Sequence, residues 1–274
     1  MYALFSILAR AFDVLLYPFR NLAPVWGVAF LALLTAFFVL YIYKHVSNQQ
    51  AIKLLKKRIQ GHFLGIYLFR DDISQILGSQ GKVFSNVLRY MGHSLLPFAV
   101  VLVPILIVCV QMQLRYGYSH LAPGDVVPVS IKLSEGTKAV NAGVELTASE
   151  GLTVETPPLR IAALNEIDWR IRVEDRGMHE VVFKIGGARI GKGVDAGKGV
   201  RRIYPVRERS VVLGALICPG EPPIESKLPV RSVFVGYTHA TIGFFGLNLH
   251  WSIVYFLLAI VFGIIFKRFF KVEF

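Results

Sequence analysis

Seven histidines and two cysteines are the side chains of this 274-residue chain best suited to metal or nucleophilic chemistry. His45, His62, His93, His120, His179, His239 and His250 never fall at the spacing that lets imidazoles share a metal, and no His-Glu-x-x-His run occurs. Cys109 and Cys218 are too few for a disulfide framework, and Cys218 reads as an unpaired thiol. The Gly-x-Ser-x-Gly turn of a serine nucleophile is absent. A glycine-rich run, Gly186 to Gly199, invites comparison with a phosphate loop. Gly193 and Gly197 enclose three residues where such a loop needs four, and Gly199 stands where Ser or Thr would hold magnesium. The run therefore reads as a flexible or hairpin loop. No catalytic residue, metal or cofactor is expected, and the chain reads as a non-enzyme.

The elements that carry these residues explain the bias. Apolar residues make up 54% of the chain, charged residues only 18%, and mean hydropathy is +0.53. A water-soluble single-core protein usually runs near a quarter charged. Three stretches lack any Asp, Glu, Lys or Arg for long enough to cross a bilayer, which takes roughly 20 apolar residues: 24–43, 92–114 and 246–266. Pro97 and Pro104 fall in the second, where neighbouring helices absorb the freed carbonyls.

The net charge of +12 is mostly a topology signal. Segment 44–91 carries eight lysines and arginines against Asp71 and Asp72, and the tail 267–274 carries Lys267, Arg268 and Lys271 against Glu273. Segment 115–245 is nearly balanced. By the positive-inside rule, 44–91 and the C-terminus face the cytoplasm, while the N-terminus and 115–245 lie outside. Without a concentrated basic face, nucleic acid is not an expected partner. Residues 1–23 hold one polar stripe, Ser6, Arg10, Asp13, Tyr17 and Arg20, on an otherwise apolar helix. That pattern fits an amphipathic helix lying in the membrane interface, or a further helix packed on the bundle.

Within 44–91, Ile52, Leu55, Ile59, Phe63 and Ile66 recur at helical steps, and Arg70-Asp71-Asp72 offers a turn before a second helical stripe. A cytoplasmic helical hairpin is expected there. Residues 127–133, 144–147, 167–173 and 180–185 alternate instead, with turn residues between them. Short strands at such spacing predict an antiparallel, immunoglobulin-like β-sandwich over 115–245 with Trp169 as core anchor. The fold class is thus a three-span helical bundle with a cytoplasmic hairpin and an all-β extracytoplasmic domain.

The order of parts carries a resemblance. An amphipathic helix leads through Val25-Trp26-Gly27 into a span. A basic helical segment (Ala51-Ile-Lys-Leu-Leu-Lys-Lys-Arg-Ile-Gln60) follows, then a return through Leu95-Leu-Pro-Phe and Val103-Pro-Ile. This resembles the core of the YidC/Oxa family of membrane-protein insertases over residues 1–115. The resemblance implies a chaperone or insertase that helps client segments into the bilayer through a groove between the spans. By register Thr35 takes the place of the arginine of bacterial members, and the inserted β-domain is an addition. A groove would be lined by Thr35, Tyr41, Ser94 and Tyr255. Lys53, Lys56, Lys57 and Arg58 would contact anionic lipid, ribosome or client, or serve topology alone. The expected partners are the lipid bilayer and nascent membrane proteins or the ribosome, in a bacterial inner membrane. The alternative is a scaffold subunit of an envelope complex, binding other envelope membrane proteins through its β-domain.

Overall fold

Uncharged apolar sequence folds as helix wherever it must satisfy its own backbone away from water, and three long helices carry these stretches. The computed structural model describes residues 2–47, 49–68, 73–209 and 221–270. Its helices are α1 (Tyr2–Leu16), α2 (Pro24–Val46), α3 (Gln49–Leu68), α4 (Ile73–Tyr116) and α5 (Trp251–Phe270). Among the described residues, α2, the Pro97–Tyr116 part of α4 and α5 are long and apolar enough to cross a membrane. This is a multi-pass membrane protein with a separate β region. Pro24 opens α2, where its missing N–H costs nothing. Lys44 and His45 close α2, and Lys267 and Arg268 close α5, cations set against the negative ends of the helices. Residue 92 falls inside α4, which runs unbroken from its first half into the span. The turn expected at Arg70-Asp71-Asp72 and the thiol of Cys218 lie outside the described residues.

The chain divides into two compact units, one of residues 28–109 and 252–274, the other of 1–27 and 110–251. In the helical unit, Leu40, Tyr43, Ile52 and Phe270 form a buried cluster with Tyr90 and Phe266 against it. The ends of α2 and α5, the start of α3 and the middle of α4 therefore meet. Phe37 adds an edge-on contact to Phe270, with centroids 5.0 Å apart.

Among the described residues, the second unit holds eleven strands in three antiparallel sheets. One sheet orders β3 (Leu152–Val154), β5 (Glu166–Val173), β1 (Val126–Leu133), β9 (Val230–Val235) and β8 (Val206–Glu208), with β4 (Leu159–Ile161) also pairing β5. A second orders β2 (Val144–Ala148), β6 (Met178–Ile185) and β7 (Ala188–Asp195). The third is the hairpin β10 (Ile242–Phe244) and β11 (Leu247–Leu249). Alternation sends Ile167, Trp169, Ile171 and Val173 of β5 inward, and Val181, Phe183 and Ile185 of β6 likewise. The first two sheets share one core, in which Trp169 meets Phe183 edge-on at 5.7 Å.

The glycine-rich run is not a single loop. Gly186-Gly187 makes the β6–β7 turn, and Gly191 and Gly193 lie within β7, where Ile190, Lys192 and Val194 point inward. Lys192 is buried because Glu221 meets its Nζ at 2.8 Å with both carboxylate oxygens.

Phe183→Ala empties the contact between the two sheets and should destabilise the β unit by about 3–5 kcal/mol. Native-state proteolysis of the full chain in detergent checks this. Unchanged protection of strands β5 and β6 would mean that the sheets do not depend on this core.

Candidate functional site

In the helical unit, α2, α4 and α5 enclose a cavity of about 210 Å³ lined by Thr35, Ile105, Tyr255, Ala259 and neighbouring apolar residues. Tyr255 is 1% exposed and lines the same cavity as Thr35. Two of the four groove candidates, Thr35 and Tyr255, are thus brought together. Tyr41 is half exposed and lies against His45, with ring centroids 4.5 Å apart. It does not line that cavity. The side chain of Ser94 lies outside the described residues. On α3, Ile52 and Leu55 face inward while Lys53, Lys57 and Arg58 are exposed and Lys56 is half-buried. Leu54, Phe63, Leu64 and Tyr67 of the same helix are exposed apolar neighbours of those cations.

α4 carries the less expected feature. Phe84, Leu88, Met91, Leu95 and Phe98 recur at steps of four, three, four and three, and each is more than half exposed. Such steps place them on one helix face. At 1.5 Å per residue α4 is about 66 Å long, more than twice the roughly 30 Å of bilayer hydrocarbon. The stripe begins in the half ahead of the span and continues into it.

In the other unit, the sequence pattern did not single out Arg115, in the last turn of α4 and 5% exposed. Its Nη1 donates to the carbonyl and the Oε1 of Gln111, both at 2.9 Å. Its Nη2 donates to the carbonyl of Ala9 at 2.9 Å and to Asp13 Oδ1 at 2.6 Å. Asp13 belongs to the polar stripe of α1, so that stripe turns a carboxylate onto a buried guanidinium. Its other oxygen meets Arg202 Nη2 at 2.8 Å. Burial pushes the neighbouring Tyr204 hydroxyl up to about 12 despite the Arg202 and Arg115 charges.

Segment 197–203 closes the arrangement. Val200 N donates to Arg20 O at 3.2 Å and Ile203 N to Leu114 O at 2.7 Å. Gly199 sits at φ +80 with the Arg20 carbonyl where a Cβ would need room, so only glycine fits there. Just upstream, Asp195 Oδ1 accepts from Gly197 N at 2.7 Å and lies 3.4 Å from His120 Nδ1. Burial alone would raise the Asp195 carboxyl. The close approach of His120, the hydrogen bond from Gly197 and the charges of His120 and Arg201 overcome it and hold the carboxyl below its usual range. The Asp195 N–H in turn donates to Tyr237 Oη at 2.8 Å, and burial raises that hydroxyl above its ordinary value.

Two further contacts belong to the span ends. Trp251 Nε1 donates to Gln113 Oε1 at 2.8 Å, tying the start of α5 to the last turns of α4. Phe245, at the tip of the β10–β11 hairpin shortly before α5, is 91% exposed. An exposed aromatic so near a span end suits the headgroup region. Among the described residues no group of three or more His, Cys, Asp or Glu converges as a metal site would require. No protein-family model, curated protein or solved structure matches the chain.

Asp13→Ala leaves the guanidinium of Arg115 buried without its carboxylate and should cost about 2–3 kcal/mol. The double variant D13A/R115M, which removes the stranded charge, should recover part of that loss. Thermal unfolding of both in detergent decides, and a double variant less stable than D13A alone would show that the pair does not act as a unit. Asp195 supplies a pH test. Its folded pKa lies below that of the unfolded chain, so its contribution is complete above about pH 4 and is lost as pH falls through the folded value. Asp195→Asn should therefore shallow the acid-side fall in stability, while an unchanged acid limb would exclude Asp195 as its source.

Proposed function

We propose that this is a membrane-protein insertase or membrane chaperone of the YidC/Oxa type, without catalytic chemistry or cofactor. What carries the reading is the uncovered apolar stripe on α4, Phe84 to Phe98, which runs from the half ahead of the span into the span itself. An apolar face outside the hydrocarbon costs free energy unless something covers it. A weakly apolar segment of a client protein has the chemistry to cover it and would be led along the same face into the bilayer. Met91 and two phenylalanines suit such a task, since polarisable and aromatic side chains accept varied partners. Lys53, Lys56, Lys57 and Arg58 supply the cations that hold anionic headgroups, the ribosome or the acidic flank of a client near the entry.

The sparing contact among the spans supports the same reading. Only 17% of the most apolar window of α5 is buried, so most of that helix is free to meet lipid or another membrane segment. Thr35 and Tyr255 would be the polar pair that meets a client's polar groups within the bilayer. In this proposal α3 and the first half of α4 form a cytoplasmic hairpin, as their basic excess favours. The β unit lies outside a bacterial inner membrane and belongs to the immunoglobulin-like sandwiches. Two antiparallel sheets packed about Trp169 support that class.

A scaffold role in an envelope complex has an observation of its own. Val140, Leu159 and Leu164 are exposed apolar residues on the β unit, and among the described residues β4 pairs with β5 alone. A partner protein covering them would need no client path on α4.

Photo-cross-linking in cells separates the two, with probes at Leu88, Met91, Thr35 and Lys56 and a comparison probe at Leu159. Capture of several nascent membrane proteins at Leu88 and Met91, lost when Phe84, Leu95 and Phe98 are changed together to Ser, is the expected outcome. One stable partner captured at Leu159, with nothing at the α4 positions, would replace the insertase by the scaffold.

A further inference from the structure

Two adjoining cavities open beside segment 197–203, of about 510 and about 370 Å³. Both are lined by Arg20, Arg115 and Val200, and the smaller adds Arg201 and Arg202. Against these four guanidiniums stand two carboxylates, Asp13 and Asp195, and both are engaged. Asp13 binds Arg115 and Arg202; Asp195 binds Gly197 N and faces His120. Arg20 and Arg201 are left with no ion pair among the described residues, although Arg201 lies near enough to Asp195 to lower it. Arg201 Nε is buried without a hydrogen-bond partner among those residues. Tyr116, 2% exposed, lines the larger cavity, and its hydroxyl also lacks a partner there. Half-buried donors and an excess of positive charge around one space favour an anion with several acceptor oxygens.

The surroundings narrow the choice of anion. The walls include Pro24, the first residue of α2, Tyr116, the last of α4, and Ile242 of the hairpin that carries exposed Phe245. Both apolar stretches therefore end at this cavity. Tyr17 and Leu22, both mostly exposed, stand on the walls of the smaller and the larger cavity. An occupant thus meets cations within and apolar side chains at the way out.

From this we infer a phosphate site. Its occupant is the headgroup of an anionic phospholipid, bound by Arg20 and Arg201 with the Tyr116 hydroxyl beside them, its acyl chains leaving past Tyr17 and Leu22. Free inorganic phosphate offers the same oxygens but has no use for the apolar exit. The site is independent of the α4 stripe and of any client.

The test uses the full chain in phosphatidylcholine nanodiscs doped with phosphatidylglycerol, with retained lipid counted by native mass spectrometry. Wild type should keep phosphatidylglycerol, and R20Q/R201Q should keep it about tenfold less, two charge-assisted contacts being lost. Tyr116→Phe, which preserves the ring, should lower retention about threefold. The control K138Q/R176Q removes the same charge from exposed loops and should retain lipid like wild type. Equal losses in R20Q/R201Q and the control would overturn the site, because net charge alone would then explain them. The source is read from thermal midpoints in phosphatidylcholine nanodiscs. A midpoint raised by phosphatidylglycerol and not by inorganic phosphate supports the lipid; one raised as much by inorganic phosphate, and abolished in R20Q/R201Q, overturns the lipid assignment.

Discussion

A guanidinium buried at the end of an apolar helix has to find its partners within the protein, and the β-containing unit is arranged around that need. Arg115 leaves 5% of its surface exposed and commits both terminal nitrogens to acceptors on its own helix and on α1. Ala9 can offer its carbonyl because it has no larger side chain to hold the guanidinium away, and Asp13 follows one turn later on the same face. The register of α1 is set by these two contacts. Asp13 then needs a partner for its second oxygen, and Arg202 reaches it only because 197–203 folds back against Arg20 and Leu114. One buried charge thereby couples the first helix, the last turn of a span and the strand that precedes the segment.

How much of this could be read along the chain follows from the range of each interaction. The apolar stretches of α2, α4 and α5 announce themselves because membrane crossing is a property of consecutive residues. Strands β1, β2, β5 and β6 were legible for a similar reason: each has one inward and one outward face. β7 was not, since its outward positions include Gly191 and Gly193, which look like loop until the pairing with β6 is known. The Arg115–Asp13 pair joins residues separated by 102 positions, and no local pattern marks it. The polar stripe of α1 was visible; that part of it faces a buried arginine was not.

In the helical unit the legible and the hidden divide differently. Phe84 and Leu88 look like members of a core stripe with Val83 and Val87, because periodicity marks a face without saying what covers it. The structure leaves Phe84 and Leu88 outside and extends their line through Met91, Leu95 and Phe98. Thr35 and Tyr255 show the same limit. Each is a polar residue in its own span, and only the packing of α2 beside α5 brings them to one cavity.

The distribution of polar groups along the spans has a physical logic of its own. A charge at the middle of a bilayer costs several kcal/mol at the least, and falls in cost toward the interface. The middle of α2 carries Thr35, an uncharged hydroxyl that shares a cavity wall with Tyr255. The charge of the spanning part of α4 sits in its final turn, beside the peptide segments and the carboxylate that satisfy it. A neutral hydroxyl inside the bilayer can change its surroundings at the cost of about one hydrogen bond. Four committed bonds on Arg115 cannot open so cheaply. The spans thus keep neutral polar groups along their length and place a buried charge only where polar partners are at hand.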